Sequence, residues 1–439
     1  MAVYLHLFET ESQFRDKRIN DYYEPWVSLT EESNDRVDYN KTEYEKAPET
    51  PLTFEITRNG EIHWTSTHTA YTRTIQYKKN DSDWTSITSS TGGTNISVVS
   101  GDIVQFKGDN NRYSSGNSSI LSDYRRAVFS GTTCGFKLKG NIMSLINSRS
   151  FKTLTTLTGE LNFYHLFEGC TGLTDASNLV LPATTLRKNC YTGMFLGCTS
   201  LVTAPELPAT TLVTDCYNSM FYGCTSLTTA PELPATTLAD SCYYHMFQGC
   251  TSLTTAPSLP ATTLAKYCYC YMFQDCTSLT TAPSLPATTL VGYCYGNMFQ
   301  GCTSLTTAPS LPATTLVGNC YYEMFYGCTG LTTAPELPAT TLADHCYYGM
   351  FYGCTGLTTA PELPATALAD YCYSNMFRGC TNLNYIKAMF TTTPSASYTG
   401  NWVNGVASSG TFVKNSAASW NVTGNNGVPT GWTVQTASS

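Results

Sequence analysis

Eight cysteines fall at one interval: Cys198, Cys224, Cys250, Cys276, Cys302, Cys328, Cys354 and Cys380, each 26 residues after the last. A second series, from Cys190 through Cys216, Cys242, Cys268, Cys294, Cys320 and Cys346 to Cys372, keeps the same step. Cys170 precedes the first series by 28 residues. A fixed period of this length marks stacked supersecondary units, none of which buries its apolar face alone.

Counting each unit from Cys190 or its equivalent as position 1, position 2 is always Tyr, 5 is Met, 6 is Phe and 9 is Cys. Leu holds positions 12, 18 and 23, and Pro holds 16 and 19. The prolines exclude a helix in the LPATTL half and favour extended or turn backbone. Thr and Leu beside them suit short strands at a coil edge. At 100° per residue, positions 1, 2, 5, 6 and 9 share one arc of a helix, and these letters do not vary. Positions 3, 4, 7 and 26 fall on the opposite arc and do vary. The pattern predicts one or two helical turns with Cys, Tyr, Met and Phe facing the core, ended by the Gly at position 8.

The pattern MFxGCTxLTTAPxLPATTLxxxCY resembles the BspA-like leucine-rich repeats of gut Bacteroidetes surface proteins and their phages. The likeness covers about half the chain, and the flanks GNIMSLI (140–146), GTFVKN (410–415) and GVPTGW (427–432) are similar to that group too. The resemblance implies a right-handed parallel solenoid with a short strand on one side. Few Leu and many Tyr set it apart from a standard leucine-rich repeat. Nine coils at the ~4.8 Å spacing of strands give a rod on the order of 45 Å.

Before the repeat, PLTFEIT and EIHWTST flank Asn59-Gly60, a hairpin signal. TIQYKK, WTSIT, ISVV, IVQFKG and CGFKLKG follow with turn residues between them, as in a small β-sandwich of immunoglobulin-like size. The expected fold is therefore mainly β with short helical turns, in four parts. Residues 1–50 are an attachment arm, holding 12 of the 32 acidic residues together with the aromatic run YYEPW. Residues 51–148 are the Ig-like sandwich, 149–390 the solenoid of 26-residue coils, and 391–439 a small β cap that closes the exposed end of the stack.

Charged residues are only 13% of the chain and the net charge is −8. Phosphate binding needs clustered Lys and Arg, so nucleic acid is excluded as a partner. The apolar runs are far short of the ~20 residues that span a bilayer, so no membrane insertion is expected. The apolar start is short and meets Glu9 and Glu11 at once, unlike a secretory signal.

Two cysteines per coil raise the question of disulfides. In a helix, positions 1 and 9 stand ~12 Å apart, beyond the ~4.4–6.8 Å that a bridge spans. Bonds between coils stay open, although the total of 19 is odd. The columns read as reduced, buried, small apolar residues. The six histidines share no repeat column, so neither a metal site nor a cofactor is expected. Position 17 carries Glu206, Glu232, Glu336 and Glu362, with Ser between the two pairs. Neighbouring carboxylates ~5 Å apart suit a retaining glycosidase, but copying of a solvated surface column accounts for them, and the chain is not expected to be an enzyme.

The varied face is richer. Position 3 includes Tyr244, Tyr322 and Tyr348, position 4 His245 and Tyr271, and position 7 Tyr222, Tyr326 and Tyr352. Position 26 adds Tyr267, Tyr293, His345 and Tyr371. Tyr supplies flat apolar area and a hydroxyl at low entropy cost, which suits sugar rings or a protein epitope. The candidate ligand-binding residues are Tyr222, Tyr244, His245, Tyr271, Tyr322, Tyr326, Tyr348 and Tyr352. Drift on a solvent face is the competing account. The expected role is a non-enzymatic phage virion protein, a fibre or decoration on the virion surface. It would be joined to other virion proteins through its N-terminal region, with a trimer as the expected homo-oligomer, and would adhere to a host-surface glycan or protein. A bacterial cell-surface adhesin is the alternative, and a glycan-degrading enzyme the third reading.

Overall fold

The computed structural model describes residues 49–115 and 125–437. The attachment arm expected over 1–50 lies, but for its last two residues, outside the described residues. The described chain is mainly β. Its first strands are β1 (Leu52–Arg58), β2 (Gly60–Ser66), β3 (Thr74–Lys79), β4 (Thr85–Thr88) and β5 (Thr94–Val98). There follow β6 (Ile103–Gly108), β7 (Ser114–Ser115), β8 (Arg125–Val128) and β9 (Gly135–Asn141).

The strands alternate buried and exposed residues, and two sheets close over the buried sets. One sheet runs β9-β1-β6-β3-β4 and continues past β9 into β10 (Leu173–Val180); the other runs β5-β2-β8-β7. The expected hairpin at Asn59-Gly60 does not form. β1 pairs with β6 and β9, while β2 pairs with β5 and β8, so Asn59 carries the chain from one sheet to the other. Burial decides this: Phe54 and Ile56 on β1 and Ile62 and Trp64 on β2 are all core residues. Gly60 is needed at the crossing because a Cβ there would lie 2.6 Å from the backbone N of Cys134.

β10 pairs in parallel with β9, from Leu173 opposite Phe136 to Val180 opposite Asn141. Sandwich and coils thus share one sheet, and their cores run together. Phe129 in the sandwich stacks on Phe167 at 5.6 Å, and Tyr113 on Phe163 at 6.1 Å. From there the position-6 phenylalanines stack coil by coil, as Phe299–Phe325 (5.6 Å) and Phe325–Phe351 (5.7 Å) do. The position-2 tyrosines form a second column, as in Tyr295–Tyr321 at 5.8 Å. Both columns end on Trp402.

Positions 1–9 are not helical turns, which corrects the expectation. In the coil from Cys190, the N–H groups of Met194, Leu196 and Cys198 donate to carbonyls three residues back. The N–H groups of Tyr191, Gly193, Phe195 and Gly197 donate instead to Cys216, Asn218, Met220 and Tyr222 of the next coil, at 2.7–3.0 Å. The backbone is left-handed at every fourth residue, here Asn189 (φ 57°), Gly193 (58°) and Gly197 (70°). Each left-handed residue turns a peptide so that its N–H points along the stack, and an α-helix cannot do that. The Met, Phe, Tyr and Cys side chains of positions 1, 2, 5, 6 and 9 still point inward and are buried.

The expected short strands by LPATTL shrink to single-residue parallel bridges. Thr203, Thr229, Thr255 and Thr281 link at position 14, and Thr211, Thr237 and Thr263 at position 22. Prolines at 16 and 19 have no N–H to extend these ladders. These threonines are exposed yet unvarying, so unvarying letters are not all core.

The coil geometry continues beyond residue 390. β11 (Tyr385–Ala388), β12 (Thr411–Lys414) and β13 (Thr433–Thr436) form a parallel sheet that carries on the position-14 column. A one-turn helix, Ala396–Thr399, replaces part of a coil, and Phe390, Phe412, Trp402 and Trp420 fill the end of the core.

Candidate functional site

Positions 4, 8 and 26 all require the left-handed backbone, where Gly, Asn and Asp fit at least cost. Position 8 is Gly in every coil except at Asp275. At the other two positions Asn189, Gly193, Asp215 and Asn375 of the outer coils keep to that rule, while Leu161, His165, Ser219 and Ser241 do not. The middle coils break it. Tyr267, Tyr271, Tyr293 and Tyr371, with His245, His345 and Glu323, all sit at φ between 49° and 58°. Such a conformation costs a residue with a Cβ roughly 1–2 kcal/mol.

These residues border a groove of about 720 Å³. Position 26 contributes Tyr267, Tyr293, Asn319, His345 and Tyr371; position 3 contributes Tyr244, Cys270, Tyr322 and Tyr348; position 4 contributes Tyr271 and Asn297. The rings form short stacks along the axis. Tyr267 stacks on Tyr293 at 5.0 Å, Tyr322 on Tyr348 at 4.9 Å, and His345 on Tyr371 at 4.8 Å. The stacks are interrupted at Asn319 in one column and at Cys270 and Gly296 in the other.

Four of the eight residues singled out in the sequence, Tyr244, Tyr271, Tyr322 and Tyr348, line the groove together. His245 lies flat against Tyr271 at 4.6 Å, hydrogen-bonded to Gln248, and meets Tyr222 edge-on at 6.3 Å. Tyr326 and Tyr352 stack on each other at 4.6 Å on the separate position-7 column, with Arg378 over Tyr352. Position 26 supplies five lining residues, and a helical wheel could not rank it above position 7. The signal that does so is its demand for left-handed backbone.

Polar groups sit behind the rings. Asn297, buried, donates through Nδ2 to Gln300 Oε1 and Glu323 Oε2, each at 3.0 Å. Burial raises the Glu323 carboxyl above its usual range, while bonds from Asn297 and Tyr322 oppose the rise. Burial first, and then neighbouring Cys270, Tyr271 and Tyr267, push the Tyr244 phenol up to about 12. Tyr322 is raised by burial and by Glu323. Tyr271 and Tyr293 are raised, chiefly by burial. These four phenols therefore stay protonated and can donate at neutral pH. Among the described residues no Lys or Arg lines the groove, and Lys266 Nζ lies 5.0 Å over the ring of Tyr267.

All nineteen cysteines are free and buried. At position 9 the thiol donates to the Phe carbonyl of the preceding coil, as Cys250 does to Phe221 and Cys354 to Phe325. Sequence reasoning took these residues only for small apolar ones. Among the described residues no cluster of three or more His, Cys, Asp or Glu could hold a metal ion. Glu336 and Glu362 border a shallow depression of about 380 Å³ with four prolines. Both are exposed, and Glu362 pairs with Lys387 at 3.0 Å.

Residues 164–306 and 294–399 match the family model described as a BspA type leucine rich repeat region, in six copies. The matched span, 164–399, is more than half the chain. No curated protein matches it.

Proposed function

The chain belongs to the BspA-type leucine-rich repeat family, and from that premise we propose that it is a non-enzymatic surface-display protein whose Tyr-lined groove adheres to a host-surface glycan. One observation carries the reading. Tyr and His occupy left-handed positions around the groove, where most coils outside it use Asn, Asp, Gly or Ser and only the first, with Leu161 and His165, carries bulky residues. Surface drift runs towards residues that a backbone tolerates, and here it runs the other way. Stacking of neighbouring rings returns about 0.5–1.5 kcal/mol per pair, which only offsets the strain. The rings are kept for what they present to solvent.

The setting we favour is a virion surface, with a bacterial cell surface as the alternative. Nineteen buried thiols and no disulfide suit a chain that folds in a reducing compartment, as virion parts do before release. In that setting the N-terminal region joins other virion proteins.

Binding of labelled protein to host cells and to an oligosaccharide array tests the groove. Tyr322→Ala with Tyr348→Ala is expected to weaken binding at least tenfold, and Tyr326→Ala with Tyr352→Ala to leave it unchanged. Equal effects from the two pairs place the contact elsewhere. Mass spectrometry for the peptide GNIMSLINSR (140–149) tests the setting. Its presence in purified particles at structural copy number supports the virion, and its presence in outer-membrane fractions alone supports the adhesin.

A further inference from the structure

Rings stacked on one another present edges to solvent, and only a break in the stack exposes faces. The position-26 column breaks at Asn319. Tyr293 lies one coil before it and His345 one coil after. Two coil steps of ~4.8 Å separate their rings by about 9.6 Å. Carbon atoms touch at about 3.5–4.0 Å, so contact with both faces leaves about 2 Å for the occupant's own thickness. A puckered ring carrying an axial hydroxyl fills that gap, and a flat ring does not. Tyr322 closes one side, its ring 6.2 Å from Tyr293 and tilted by 48°.

We infer that the notch at Asn319 is a subsite for one uncharged pyranose ring, held between Tyr293 and His345 and flanked by Tyr322. The inference rests on the glycan reading of the groove and adds where the sugar sits and of what charge. The Asn319 amide offers two N–H donors and a carbonyl acceptor, which match a pair of sugar hydroxyls. Acidic sugars meet the wrong field. Glu323, Asp344 and Asp370 lie on the flanking positions, and among the described residues no Lys or Arg lines the groove to answer a carboxylate. A cationic ligand would need a carboxylate to contact, and none lines the groove among the described residues: Glu323 already accepts from Asn297 and Tyr322, and Asp344 and Asp370 lie outside the lining.

The probe is an immobilised array of neutral oligosaccharides with their sialylated and amine-bearing counterparts, followed by titration calorimetry of the hits. Asn319→Tyr completes the column at a position where Tyr267 and Tyr293 already tolerate the same backbone. It is expected to keep the melting temperature and to lose at least tenfold in affinity for neutral glycans. Asn319→Gly, which leaves the notch open, is expected to lose less. If Asn319→Tyr binds as the parent does while Tyr322→Ala with Tyr348→Ala does not, the groove stands and the notch is refuted. If neither variant loses binding, both readings fall. Sialylated or amine-bearing probes binding as tightly as neutral ones overturn the assignment of charge.

Discussion

Phe325 is fully buried between Phe299 and Phe351, ring on ring. No neighbouring side chain can collapse into its place without breaking the column. Phe325→Ala is expected to destabilise by about 3–5 kcal/mol, read from denaturant unfolding. Cys250 is subtler, because its thiol satisfies the second lone pair of a carbonyl that already accepts a backbone bond. Cys250→Ala is expected to cost about 1–2 kcal/mol, more than the loss of its small apolar area alone. His245 adds a pH dependence. Burial lowers its pKa to about 4, with the bond to Gln248 opposing, against about 6.5 in an unfolded chain. Between those values the unfolded chain holds a proton that the folded one refuses. The stability is complete above about pH 6.5 and is lost as pH falls towards 4. The melting temperature should drop across that window, and the drop should be smaller in His245→Gln. Equal slopes would show that His245 is solvated.

At the scale of the element, the coil shows what could be read beforehand. The wheel placed positions 1, 2, 5, 6 and 9 inward, and they are inward, but the backbone is a run of turns rather than a helix. A turn that repeats every four residues and a helix that repeats every 3.6 differ little over nine residues. The separating signal was present: Asn, Asp and Gly recur at 26, 4 and 8, where a helix has no use for them. The 26-residue step, the buried thiols and the varied positions 3, 4 and 26 that border the groove could be read from internal copies alone. The sheet partners of β1 and β2 did not, because Asn-Gly chemistry is local and the choice of sheet is made by burial far along the chain. Burial also raises the coil thiols, that of Cys328 to about 12, and a protonated thiol is a poor nucleophile. Iodoacetamide should therefore label almost none of the nineteen cysteines in the folded protein and all of them in denaturant. Rapid labelling of the native columns would place them at the surface.

For the whole molecule, the repeat makes stability a sum over neighbours. Deleting residues 216–241, one full period, joins matching positions and should leave a cooperative fold with a modestly lower melting temperature. Deleting 13 residues from the same place sets core positions against solvent and should abolish the transition. The cross-coil bonds described above have a sense: the turn N–H groups donate forward, to the coil that follows. The turn peptides share that direction, although the N–H groups of Val202, Thr228, Thr280 and Thr332 donate back, and the aligned dipoles of the turns give the stack a head and a tail. Its forward end offers donors, and Asn425 and Asn426 meet them with acceptors, taking bonds from Val403 and Asn401. Its rear end offers acceptors, and the sandwich answers from Phe129, whose N–H donates to Leu166. Bare stacks could join only head to tail, a pairing without a two-fold axis that closes nothing and grows into a filament. Two unlike end pieces, each with the opposite hydrogen-bonding sense, make the chain a finite object.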